Sequence, residues 1–123
     1  MKRLIKKATY FMLLHSCRAK NGSPIELSAR ILSNRLHYSI IMMNQYSDTS
    51  FYDGESFDDA FDLYAFIVSR LCTTVQTENI LKQKQLLFNK AQKLMKETAN
   101  DLYRRRNTLY FKKPLFLGIS EGC

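Results

Sequence analysis

Leu81, Phe88, Met95 and Leu102 stand seven residues apart, flanked by Ile80, Leu87, Ala91, Leu94 and Thr98. Apolar residues at that interval share one side of an α-helix, so the spacing predicts a long amphipathic helix over about 79–106. Lys82, Lys93, Lys96 and Arg104 fall on its opposite side and Lys90 at the edge; Lys84 lies under the apolar stripe and Leu86 among the lysines. From Ile80 to Lys113 there are ten Lys and Arg residues against Glu97 and Asp101, a net +8. The whole 123-residue chain also carries +8, so the remainder is electrically balanced. A pI near 9.5 leaves nucleic acid, an anionic membrane surface or an acidic protein as partners.

Similar stripes predict three more helices. Residues 2–19 carry Leu4, Ala8, Phe11 and His15 at helical spacing after a basic start. Ser23, Pro24 and Glu26 have the form of a capping box, and Ile25, Ala29, Leu32, Leu36, Ile40 and Met43 follow, which predicts a helix over 24–45. Residues 44–56 read as a polar connection. Ser56 then opens a helix over 57–75, with Asp58 and Asp59 in its first turn and Phe57, Phe61, Tyr64, Val68, Leu71 and Val75 along its buried side. The phase of that stripe is lost between Thr73 and Asn79, where Thr77 or Asn79 can cap the next helix. Pro114 and Gly118 are expected to end helical order. The expected fold is thus a single all-α domain spanning 1–123: a compact bundle of about four helices, with the apolar tail after Arg106 packed across it. The sevens in 81–102 also permit a homodimer through a helix pair.

Enzyme signatures are lacking. His15 and Cys17 would point apart on a helix, and Asp58, Asp59 and Asp62 have a simpler role at a helix start. No glycine-rich phosphate loop and no Cys/His zinc pattern occurs, and Asp53-Gly54-Glu55 lacks the alternation of a calcium loop. No cofactor or metal is expected. Cys17, Cys72 and Cys123 are scattered and odd in number, which fits a reducing, cytoplasmic setting. No stretch reaches the ~20 apolar residues of a membrane span.

The expected function is therefore non-enzymatic binding of nucleic acid or a nucleoprotein. Lys82, Lys90, Lys93, Lys96, Arg104, Arg105, Arg106, Lys112 and Lys113 would contact phosphates, and Tyr103, Tyr110 and Phe111 would stack on bases. The basic, short chain without enzyme motifs has the style of a phage or mobile-element protein. A regulator or inhibitor of a nucleic-acid enzyme, such as an anti-CRISPR protein acting on a CRISPR effector, would use both charge lobes. The alternative is a protein–protein module, a helical adaptor or immunity-type inhibitor, that docks through the acidic segment with Tyr46, Phe51, Tyr52, Asp53 and Glu55.

Overall fold

The structure is a computed structural model that describes residues 10–117, with side chains as far as Arg104 except that of residue 102. It is an α+β fold, not an all-α bundle. Four antiparallel strands, β1 (Phe11–Arg18), β2 (Pro24–Leu32), β3 (Arg35–Met42) and β4 (Thr49–Gly54), form a sheet in the order β1-β2-β3-β4. Three helices follow: α1 (Phe57–Leu71), α2 (Thr74–Leu81) and α3 (Lys84–Leu117).

The predicted helix over 24–45 is a β-hairpin. Ile25, Leu27 and Ala29 alternate along β2, Tyr38 and Ile40 along β3, and all five are buried. Period two places them on one face of a sheet, whereas the helical stripe needed Leu32, which is exposed. Leu32 pairs with Arg35 across a two-residue loop, Ser33-Asn34, with φ of 51° and 64°. Positive φ at both positions is what a tight hairpin with the native strand twist requires. Ser23 and Pro24 do not cap a helix: Gly22 turns the chain at φ 92° and Pro24 begins β2. Neither loop residue is the glycine that a left-handed conformation favours. The pair Ser33→Asn and Asn34→Gly is expected to raise stability by about 0.5–1 kcal/mol. An unchanged or lower urea midpoint would contradict the assigned turn.

The predicted helix over 2–19 is also a strand where it is described. The register of β1 against β2 slips between Leu13 and His15, leaving Leu14 as a bulge. Before the bulge, Phe11 and Leu13 face outward and are exposed; after it, His15 and Cys17 lie opposite Leu27 and Ile25 on the core face. The extra residue therefore reverses which parity points inward. Residues 1–9, part of that prediction, lie outside the described residues.

The helices follow the sequence more closely. Ser56 caps α1 by accepting from the Asp59 amide at 3.1 Å. Phe57, Phe61, Tyr64, Ile67 and Val68 are buried, but Val75 is exposed because α1 ends at Leu71. Thr73, rather than Thr77 or Asn79, caps α2 through a reciprocal box with Gln76. The single predicted helix over 79–106 is two: the chain breaks at Lys82 and Gln83. Leu81 consequently leaves the seven-residue seam and is exposed, while Leu87, Ala91, Leu94 and Thr98 form the buried stripe of α3. Leu87, Ala91 and Leu94 belong to the same buried core as Leu14, Ile25, Leu27 and Ile40 of the sheet. Helical backbone runs through Pro114 to Leu117, so residues 107–117 of the segment predicted as a non-helical tail are the end of α3, and the rest of that segment, with Gly118, lies outside the described residues. A proline removes one ladder bond and does not by itself stop a helix whose other bonds persist. Among the described residues no helix is long and apolar enough to cross a membrane.

The core lies between the sheet and the helices, and Phe57 links β3, α1 and α3 within it. Its ring meets Tyr38 of β3 at 5.4 Å, Phe61 at 5.9 Å and Phe88 of α3 at 5.3 Å between centroids.

Candidate nucleic-acid interface

Helix α3 carries nine Lys and Arg residues and two carboxylates, a net +7. With Leu87, Ala91, Leu94 and Thr98 turned to the core, the 100° step puts Asn89, Lys93, Lys96, Asn100 and Tyr103 on the far side, with Arg104 beside them. All six are exposed. Lys93 and Lys96 form no ion pair among the described residues. At 34 residues α3 is about 51 Å long. Strands of eight or nine residues reach only about 30 Å, so the helix is longer than the sheet it packs on.

The other predicted phosphate contacts are placed differently. Lys90 is half-buried and donates to the Leu14 carbonyl at 3.3 Å, tying α3 to the β1 bulge. Lys82 is exposed at the C-terminal end of α2. Lys84, read as lying under the stripe, pairs with Asp58 at 3.4 Å and sits over the Phe61 ring. Leu86 is exposed, as its position among the lysines implies. Arg105, Arg106, Tyr110, Phe111, Lys112 and Lys113 have helical backbone, but their side chains lie outside the described residues.

Part of the acidic segment is paired within the fold. Asp53 pairs with Arg30 at 2.9 Å, and Glu55 reaches Arg35 at 3.3 Å and His37 at 3.7 Å. Residues Thr49–Gly54 are not loop but the edge strand β4, which pairs with β3 and carries Asp53, while Glu55 directly follows it. Tyr52 is half-buried over Gly54, its hydroxyl bonded to both the amide and the carbonyl of Ser56 at 3.3 Å. Tyr46 is 91% exposed and Phe51 36%.

A third cluster was hidden by the helical reading. On a strand, residues i and i+2 share a face, so His15 and Cys17 meet instead of pointing apart. Cys17 Sγ lies 3.6 Å from His15 Nδ1, and the buried Tyr64 hydroxyl is 2.9 Å from that nitrogen and 3.5 Å from the sulfur. The signal that could have found it is the alternation of Ile25, Leu27 and Ala29, which makes this part of the chain a sheet. Burial, assisted by the charge of Lys90, lowers the His15 pKa. The unfolded chain therefore binds the extra proton more readily. Stability is complete above the free-histidine value near 6.5 and declines as pH falls through it toward the lower folded value. The decline between pH 7 and 5 should be smaller in His15→Gln, measured by urea unfolding; equal slopes would contradict a half-buried imidazole whose folded form resists protonation. Among the described residues no group of three or more His, Cys, Asp or Glu is placed to hold a metal ion.

No protein family, curated protein or solved structure shows a detectable match to this chain.

Proposed function

We propose that the protein is a binding module for a polyanion, most naturally nucleic acid or a nucleoprotein, and that the outer face of α3 makes the contact. The observation that carries this reading is charge segregation. Lys93 and Lys96 stand exposed on α3 beside Tyr103 and Arg104, whereas Asp53, Glu55 and Asp58 are engaged by cations of the sheet and of the start of α3. Local i,i+4 pairing offers this stretch only Glu97 and Asp101, too few carboxylates to neutralise it. A straight row of cations can follow a phosphate backbone, and Tyr103 adds a flat ring on which an unpaired base can stack. Binding of this kind is electrostatic, tolerant of sequence and steeply dependent on salt.

The test is a titration of a labelled single-stranded oligonucleotide at two ionic strengths. If four or five phosphates are neutralised, the logarithm of affinity falls with the logarithm of salt at a slope near −3. Absence of binding at 50 mM salt, or binding indifferent to salt, would overturn the proposal.

One observation favours a second reading, a protein–protein module. Phe11, Leu13 and Leu32 are each more than 40% exposed on the outer face of the sheet, away from the helices. Capture of a protein partner that survives nuclease and high salt and is lost in Phe11→Ser/Leu13→Ser would replace the first reading by this one.

A further inference from the structure

An open sheet has two edges, and this fold treats them differently. Both edge strands are bulged, which by itself hinders pairing with another chain. At β1 the carbonyl of the bulged Leu14 is in addition taken by Lys90 of α3 at 3.3 Å, and α3 packs along β1. At β4 the residue without a partner on β3 is Phe51, and its ring is exposed. Strand β4 contains neither lysine nor proline, the residues that most often close an edge. Among the described residues no group outside β3 bonds to its backbone. Carboxylates flank this free edge. Asp48 precedes β4, Asp58 and Asp59 open α1 just after it, and α1 packs over β3 and β4. From Tyr38 to Ser69 there are six carboxylates and no Lys or Arg. Asp53, Glu55 and Asp58 are paired from elsewhere, but Asp48, Asp59 and Asp62 are exposed and form no ion pair among the described residues.

We propose that the free edge of β4 docks an extended basic segment of a partner protein, which joins the sheet as a further strand beside β4. The unpaired amides and carbonyls of β4 supply the main-chain bonds, and this part of the contact is indifferent to sequence. Charge selects the occupant. A second copy pairing through its own β4 would set Asp48 and the α1 carboxylates against their counterparts, and like charges across a strand pair repel. Nucleic acid meets the same repulsion. A strand bearing Lys and Arg finds Asp48 at one end of β4 and Asp59 and Asp62 toward the other. Phe51, exposed beside the edge, offers an aromatic anchor for an apolar side chain of the incoming strand. This contact does not depend on the α3 face.

The experiment uses the full chain and three synthetic peptides as long as β4. One alternates lysine and valine, the second is the same peptide N-methylated at every residue, and the third alternates glutamate and valine. Backbone amide spectra are recorded during each titration. The lysine peptide should shift the amides of Thr49–Gly54 most and slow their hydrogen exchange, with α3 unmoved. The N-methylated peptide keeps the charge but loses its main-chain donors, and should bind at least about tenfold more weakly. The glutamate peptide should not bind. Asp48→Asn/Asp59→Asn/Asp62→Asn should weaken the lysine peptide about tenfold without changing the circular dichroism spectrum. Equal binding of the methylated and unmethylated peptides would reduce the contact to charge alone and overturn the strand addition. So would the absence of any shift in β4 at millimolar lysine peptide. Protected β4 amides in a dimer, with no peptide present, would assign the edge to a second copy instead. The central comparison is between peptides, so it needs no variant of the protein.

Discussion

Phe57→Ala is expected to cost about 3–5 kcal/mol of folding stability. The ring is buried and touches three elements at once, stacking on Phe61, meeting Tyr38 of β3 edge-on and Phe88 of α3 at 66°. Truncation removes the transfer free energy of the ring and leaves a hole that the sheet and two helices cannot all close upon. Phe66→Ala provides the contrast. Phe66 also lies on α1, but it is exposed and carries Arg70 over its ring at 5.2 Å, so its loss should cost well under about 1.5 kcal/mol. Urea unfolding of the two variants decides the matter. Equal losses would mean that the Phe57 ring does not tie the sheet to the helices.

The second large effect concerns binding. Lys93→Glu/Lys96→Glu exchanges two cations for two anions on the outer face of α3 and should weaken oligonucleotide binding about 100-fold at 50 mM salt. It should also make the salt slope shallower, since fewer phosphates are neutralised. Folding stability should change by no more than about 0.5 kcal/mol, because both side chains are exposed and unpaired among the described residues. A matched change at a cation the fold already uses, Arg35→Glu beside Glu55, should leave affinity within a fewfold of the original. Equal losses from both changes would mean that net charge alone, not the α3 face, sets the affinity.

The sequence declared α1 clearly. Ser56, two aspartates and the Phe57–Phe61–Tyr64–Val68 stripe agree with one another, and each was found in place. The sheet was equally written but ambiguous. Ile25, Ala29 and Ile40 satisfy period two and period four alike, and Ser23-Pro24-Glu26 supplied a helix cap by coincidence. The deciding residues were Leu27 and Tyr38, which a helix leaves off its stripe and the hairpin buries, and Ser33-Asn34, a turn pair without glycine. In β1 the bulge at Leu14 breaks the alternation midway, so Met12 and Leu14 keep period two but Cys17 falls out of phase with them. The break at Lys82 and Gln83 was invisible because the sevens continued across it. The basic face was legible from composition and spacing. The His15–Cys17–Tyr64 cluster was not, because its members meet only once 10–18 is a strand and α1 is folded against it.

The most direct test of the binding account is residue-resolved. Backbone amide spectra of the labelled protein would be recorded with and without a short single-stranded oligonucleotide at low salt. The account predicts shifts concentrated at Asn89, Lys93, Lys96, Asn100, Tyr103 and Arg104, with β4 and its ion pairs at Asp53 and Glu55 unmoved. Shifts confined to Phe11, Leu13 and Leu32 on the outer sheet face, or none on α3, would contradict it.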